Sequence, residues 1–438
     1  MTLFATALAA AVLAAPAPLT LDEALAEASR KSPELRAARA DRDAALGDRT
    51  VAWSNVLPRL DLTAAFGRQY IGETSTTLVS GYQLPGTPAT TLESYQLGLR
   101  LEQPLFDGLR SWALVSAGKA RAAAAEGSLD ESGLSVAFGV TRAFLEVVRA
   151  ERNLEVLEEA VGRSEEVRRR AEALYQAGRL PKSDAIAASV NLGNDRILVE
   201  VQRGRVTRAR VDLCLALGRD ADPGLSVVPP AALLGPGGPS SEEPPTPEAL
   251  LQAARRSRPL LRAQRNLIDA AESDLRAAHG GYWPALSLVL GYDRTSPYFA
   301  GVYGNLSRQY TASGFITLTW NFFDGLRTTG GVDRATAMAD RARAGSDQAE
   351  QQVSGELAAA RDQVVLLGRT VRLSTENLAV AEQGLQLARD RLDKGAATQL
   401  EVRDAQLKLT QARLALIAAR IDEAIAHADL NRATGAAL

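Results

Sequence analysis

Hydrophobic positions along this chain follow two different periods, and each period appears twice. In 57–67, Leu60, Leu62, Ala64 and Phe66 alternate with Arg59, Asp61, Thr63 and Ala65. Much later, Leu286, Leu288, Leu290 and Tyr292 alternate with Ser287, Val289, Gly291 and Asp293. A period of two in the same phase predicts strands. Leu97, Leu99 and Leu101, and again Ile316, Leu318 and Trp320, alternate with smaller or polar residues and predict the return strands. Four strands in two β-hairpins follow, over 57–104 and 284–322.

The other period is helical. Leu357, Val364, Val371, Leu378, Leu385 and Leu392 fall at steps of seven, interleaved with Ala360, Leu367, Ser374, Ala381 and Ala388. That is a heptad seam with small residues on one line, which lets helices approach closely. Val140, Val147, Leu154, Val161, Arg168 and Tyr175 form a weaker version of it. Each seam lies in nearly seventy residues without proline, so each predicts a helix of about 100 Å at 1.5 Å per residue. Each helix stops at a glycine, Gly178 or Gly395, and a second periodic stretch follows almost at once. The short gap predicts antiparallel helical hairpins over 109–217 and 326–434.

These doublings come from an internal repeat. Phe-Asp-Gly-Leu-Arg occurs at Phe106–Arg110 and Phe323–Arg327, an offset of 217 that also carries Gly178 onto Gly395 and Gly218 onto Gly435. Upstream, Pro33 matches Pro259 and Pro58 matches Pro284 at an offset of 226. The predicted organisation is a first repeat over 18–221, a Pro/Gly-rich linker over 222–247 and a second repeat over 248–438. In both repeats Phe106, Asp107 and Gly108, or Phe323, Asp324 and Gly325, stand where strand gives way to helix. The Ala/Leu-rich run of 1–17, ending in small residues and proline, reads as a signal peptide, although no Lys or Arg precedes it.

Composition narrows the class. Aromatic residues are 5% of the chain against 46% hydrophobic overall, so its apolar content is mainly Ala, Leu and Val, which suits long helices. Lys plus Arg number 50 and Asp plus Glu 52, intermixed, which leaves nucleic-acid binding without electrostatic support. The lone Cys214 offers no disulfide or metal motif. His279 and His427 are isolated, and no nucleophile set or phosphate-cradling loop is apparent, so we expect no enzyme, no catalytic residues, no cofactor and no metal.

No later run of about 18 apolar residues occurs, so a membrane crossing must use strands. Of the 22 aromatic residues, 17 lie between Trp53 and Phe106 or between Tyr282 and Phe323, which resembles the girdles at the rims of membrane barrels. Four strands cannot close a barrel. Two chains would give eight strands around a filled interior, whereas three give twelve and leave a lumen.

Taken in order, the opening Leu19–Leu25, the strand entry Asn55–Leu60, the strand exit Gln103–Gly108 and the duplicated hairpins resemble the TolC-type outer-membrane efflux protein (outer membrane factor) family. The resemblance implies a mostly α fold with a small β part: a homotrimer with a 12-stranded transmembrane β-barrel, four strands per chain, continued by a periplasmic α-helical barrel. It implies an exit channel in the Gram-negative outer membrane, in contact with its lipid. A periplasmic adaptor and an inner-membrane pump would be the partners, in efflux or type I secretion.

By the family pattern the hairpin turns dock the adaptor. The residues concerned are Gly178, Arg179, Leu180, Pro181, Ser183 and Asp184, with Gly395 and Thr398. Glu401 and Asp404 would line the constriction. Ala397 stands where some members carry a tip-locking arginine, so a closed state here must rest on other contacts. The alternative from another class is a soluble periplasmic coiled-coil scaffold or adaptor, which shares the heptads but has no need of duplicated strands with aromatic ends. Two Met and two His argue against a dedicated copper or silver exporter.

Overall fold

The structure is a computed structural model that describes residues 18–79, 82–84, 86–230 and 244–436. The segment read as a signal peptide and 231–243 of the linker lie outside them. In chain order the elements are α1 (Leu21–Lys31), α2 (Pro33–Trp53), β1 (Arg59–Ile71), the short pair β2 (Thr77–Val79) and β3 (Tyr82–Leu84), β4 (Thr90–Phe106), α3 (Arg110–Gln176) and α4 (Lys182–Leu217). Then come α5 (Pro247–Ser257), α6 (Pro259–His279), β5 (Ala285–Ser296), α7 (Phe299–Tyr303), β6 (Thr311–Thr319), α8 (Arg327–Asp393) and α9 (Gln399–Thr434). Among the described residues no helix is long and apolar enough to cross a membrane.

The chain forms two units, each drawn from both repeats. One comprises Arg42–Glu126 and Ala263–Asp347 and holds an antiparallel sheet of order β1-β4-β5-β6. Leu62 pairs with Leu99, Leu99 with Tyr292, and Tyr292 with Ala312; two residues along each strand, on the same face, Leu60, Leu101, Leu290 and Gly314 line up. The predicted alternation therefore sorts into one apolar face and one polar face. On the polar face Arg59 reaches Asp61 and Arg100 lies near Glu102. The apolar face is bare, with Leu62, Ile316 and Leu318 each more than 60% exposed. Among the described residues nothing pairs with the outer edges of β1 and β6.

One position departs from the alternation. Arg294 falls in register with Leu97 on the apolar face, yet it is buried beneath α7, where its Nη2 donates to the carbonyls of Gly301 and Asn305. Residues beyond the strand fold back over it, which a period-two pattern does not reveal.

The other unit comprises the described residues up to Asp41, with Gly127–Arg262 and Gln348 onward. Its cores follow the predicted seams in part: Val140, Val147, Leu357, Val364 and Leu385 are buried, whereas Tyr175 is exposed. Val140, Phe144 and Val147 pack with Leu213, Leu217 and Leu35, while Val353, Leu357 and Val364 pack with Leu250, Leu261 and Leu430. A third cluster joins Leu385 to Val402 and Leu409. Cys214 is fully buried within the first.

An ion pair ties α1 to the end of the first hairpin: Glu27 accepts hydrogen bonds from Arg219 and contacts Lys31, which holds its carboxyl down at about 2. A carboxylate with a depressed folded pKa stabilises the fold fully above its unfolded value, near 4.5, and loses that contribution as pH falls toward 2. Arg219 is a third exposed, so solvent screening holds the effect to about 1–2 kcal/mol at neutral pH. Glu27→Gln is expected to lower the urea midpoint at pH 7, with the gap to the parent closing between pH 4.5 and 2. An unchanged gap across that window would remove the pair from the stability of this unit.

Candidate functional site

The two hairpin turns share one backbone solution. In the first, the Gly178 amide donates to the Tyr175 carbonyl and the Arg179 amide to that of Leu174; in the second, Gly395 donates to Leu392 and Ala396 to Arg391. This closure satisfies the last carbonyls of each long helix and needs a left-handed residue, which glycine supplies at φ 69° and 73°. Beyond the first turn Pro181 caps α4 without a side-chain hydrogen bond, and Ser183 donates to Asp184. Beyond the second, Thr398 and Glu401 form a reciprocal capping box at the start of α9.

The turns come together. Leu180, Asp184, Thr398 and Leu400 line a cavity of about 400 Å³ together with Ser164 and Arg403. Glu401 and Asp404, expected to face a constriction, are both exposed. Glu401 also lies 3.4 Å from Arg391, and Asp404 pairs with Lys408 at 2.7 Å. Three residues apart on α9, Glu401 and Asp404 are neighbours on the surface of that helix.

What the sequence reading missed lies just behind them. Arg403 of α9 grips Asp195 of α4 with two hydrogen bonds of 2.8 Å, and its Nη1 donates also to Ser164 of α3 at 3.0 Å. Ser164 donates in turn to Asp195. The pair is largely buried, with side-chain exposures of 17% and 7%. It heads a series of polar bridges between the hairpins: Arg149 to Asp422, Arg163 to Thr410, Arg413 to Glu159 and Arg170 to Asp393. The signal was faint, because the partners stand some 200 or more residues apart and each looks like a solvated helix charge.

The strand-to-helix junctions repeat as faithfully as the turns. Asp107 accepts from the Ser111 amide at 2.8 Å and Asp324 from that of Thr328 at 3.0 Å, each also taking the hydroxyl of the same residue. Gly108 and Leu109, like Gly325 and Leu326, are left-handed in succession. A leucine at positive φ is strained, and the same strain at both copies marks a built corner rather than an accident of packing. Phe106 ends β4 across a register shift at Pro104, and Phe323 is exposed.

A sheet with one bare apolar face, turned by sharp corners into paired helices, defines a membrane channel built on strands. The chain belongs to the outer membrane efflux protein family, whose pattern matches residues 24–219 and 250–436. It is 23% identical over 416 residues to the outer membrane efflux protein BepC of Brucella suis, covering 95% of this chain and 85% of that one. It is 25% identical over 431 residues to the outer membrane protein TolC of Vibrio cholerae, covering 95% and 90%. A crystal structure of a membrane protein from Pseudomonas aeruginosa shares the fold with a TM-score of 0.81 at 24% identity, over 95% and 93% of the two chains. The protein is an efflux channel of the outer membrane.

Proposed function

We propose that three copies close this sheet into a twelve-stranded barrel, pairing β6 of one chain with β1 of the next, and that the helical hairpins continue the conduit into the periplasm. The observation that carries this reading is the combination of two unpaired sheet edges with a bare apolar face, since an open edge in lipid leaves backbone groups without partners. The channel is a passive conduit, neither enzyme nor pump. An adaptor docks at the turns around Gly178–Asp184 and Gly395–Thr398 and connects it to an inner-membrane pump, in efflux or type I secretion. Membrane fractionation tests the assembly: the protein is expected to resist carbonate washing, to require detergent for release and to run as a trimer. Release by salt as a monomer would favour the scaffold reading.

Within that trimer Glu401 and Asp404 form two rings of three carboxylates, which focus negative potential at the narrow end. Their replacement by Gln and Asn keeps the size of each side chain and the hydrogen-bonding ability of the Thr398 capping box. Glu401→Gln with Asp404→Asn is expected to lower the cation-over-anion permeability ratio in planar bilayers and to weaken block by a trivalent cation. Unaltered selectivity and block would take these residues out of the constriction.

A further inference from the structure

The repeat carries an arginine onto an arginine near the end of the sheet that lies away from the strand-to-helix junctions. The offset of 226 that matches Pro58 to Pro284 places Arg68 of β1 on Arg294 of β5. Arg68 shares its face with Leu60 and Leu62, and Arg294 with Leu290 and Tyr292, so both stand on the apolar face. Across β4, Leu60 lines up with Leu290 although its repeat equivalent is Leu286, a stagger of four residues over two strands. Tilted barrel strands have such a stagger, so the repeat sets both arginines at one height, two per chain and six in a trimer.

That height follows from strand geometry. Arg294 stands eight residues beyond Leu286, which pairs with Phe106 at the junction. The distance is about 26 Å of strand at about 3.3 Å per residue, or about 20 Å of height at a tilt of about 40°. The apolar band of a membrane barrel is about 25 Å tall, so a band that starts at the junction ends near the arginines. From there a guanidinium reaches the headgroups of the outer leaflet.

The two arginines differ in what meets their charge. Arg68 is open to solvent, with its Nε 3.8 Å from Glu93. Arg294 is 2% exposed and makes no ion pair among the described residues. Only its Nη2 is engaged, by the Gly301 and Asn305 carbonyls, while Nε and Nη1 are buried without an acceptor. A buried cation with idle donors calls for an anion. The cover above it is aromatic: Phe299 of α7 packs edge-on against Tyr95 and tilts on Tyr303, and Tyr310 stacks on Tyr292. Rings of this kind suit the boundary between acyl chains and headgroups.

We propose that this rim binds the phosphates of the outer-leaflet glycolipid, lipid A, with Arg294 as the main site in each chain and Arg68 as a weaker one that Glu93 partly satisfies. An entering phosphate lifts the single turn of α7 and gives Nε and Nη1 a charged acceptor, which they hold about twice as strongly as a neutral one. The aromatic rings stay against the acyl chains. This rests on the barrel reading above.

The test is native mass spectrometry of the full-length protein released from detergent, with lipid A, its dephosphorylated form or inorganic phosphate added. Lipid A is expected to stay bound to the trimer, and the dephosphorylated form to bind about tenfold more weakly. Arg294→Gln is expected to weaken lipid A binding about tenfold, Arg294→Lys to keep most of it, and Arg68→Gln to cost less than Arg294→Gln. Inorganic phosphate is expected to leave the lipid in place. Equal binding of the two lipids, or undiminished binding by Arg294→Gln, overturns the proposal. So does displacement by inorganic phosphate, which would make this a site for free anions. If Arg294→Gln fails to assemble, the two lipids compared on the unaltered protein decide. A trimer without preference for the phosphorylated lipid overturns this proposal alone, whereas a monomer overturns the barrel reading and the proposal with it.

Discussion

Replacing Arg403 with alanine is expected to destabilise the folded protein by about 3–5 kcal/mol, the usual cost of breaking a buried ion pair from one side. The loss does not come from the attraction alone, because two charges taken out of water regain little more than their desolvation. It comes from what remains: Asp195, 7% exposed at its side chain, would keep only the Ser164 hydroxyl as partner. Asp195→Ala strands the arginine instead and is expected to cost a similar amount. Replacing both, as Asp195→Ala with Arg403→Met, removes the stranded charge and is expected to recover most of the loss. The repeat supports the recovery, since the equivalent positions are Ala412 and Ile186, with Ala381 in place of Ser164. Urea unfolding of the two single variants and the double variant measures this as a coupling energy. A double variant as unstable as the sum of the singles would show that the pair is not coupled.

Why this pair escaped the sequence while the turns did not is a matter of range. Gly178 and Gly395 announce themselves locally, since each ends a long helical period and a left-handed closure follows from that alone. The strands were equally legible, because Leu60, Leu62, Leu99 and Leu101 alternate within their own segments and the register merely aligns them. Leu357, Val364 and Leu385 were identified as a seam and are buried. The same helix carries a second line, Leu366 to Leu387, offset by two residues and left uncovered. Two apolar lines on one helix mean two neighbours, and a heptad count taken along one line finds only the first. Arg294 and Arg403 were out of reach for a further reason. Arg294 stands on the apolar face and is covered by residues that follow its own strand, Arg403 is covered by helices more than 200 residues away, and neither kind of burial leaves a periodic trace.

Gly435→Ala is expected to cost about 2–5 kcal/mol, and Gly218→Ala a comparable amount, whereas Gly178→Ala and Gly395→Ala should cost only about 1–2 kcal/mol. All four glycines end helices in the left-handed region, at φ between 69° and 79°, so the intrinsic strain of adding a Cβ is common to them. Their surroundings separate them. A Cβ on Gly435 would stand 2.7 Å from the Cα and 2.8 Å from the amide nitrogen of Arg258, where α5 bends into α6. One on Gly218 would stand 2.8 Å from the carbonyl oxygen of Lys31, at the corresponding bend of α1 into α2. Those contacts are with backbone, which cannot rotate away, so each hairpin end would have to lift from the helix bend it rests on. At the two turn glycines nothing lies within 4 Å, and the strain stands alone. Arg258 also holds Glu131, Glu356 and the Ala433 carbonyl from a site 2% exposed, so displacing it disturbs α3, α8 and α9 together. Thermal unfolding of the four variants in detergent orders them. Equal shifts in all four would mean that backbone strain outweighs the close approach, and that the hairpin ends do not anchor on those bends.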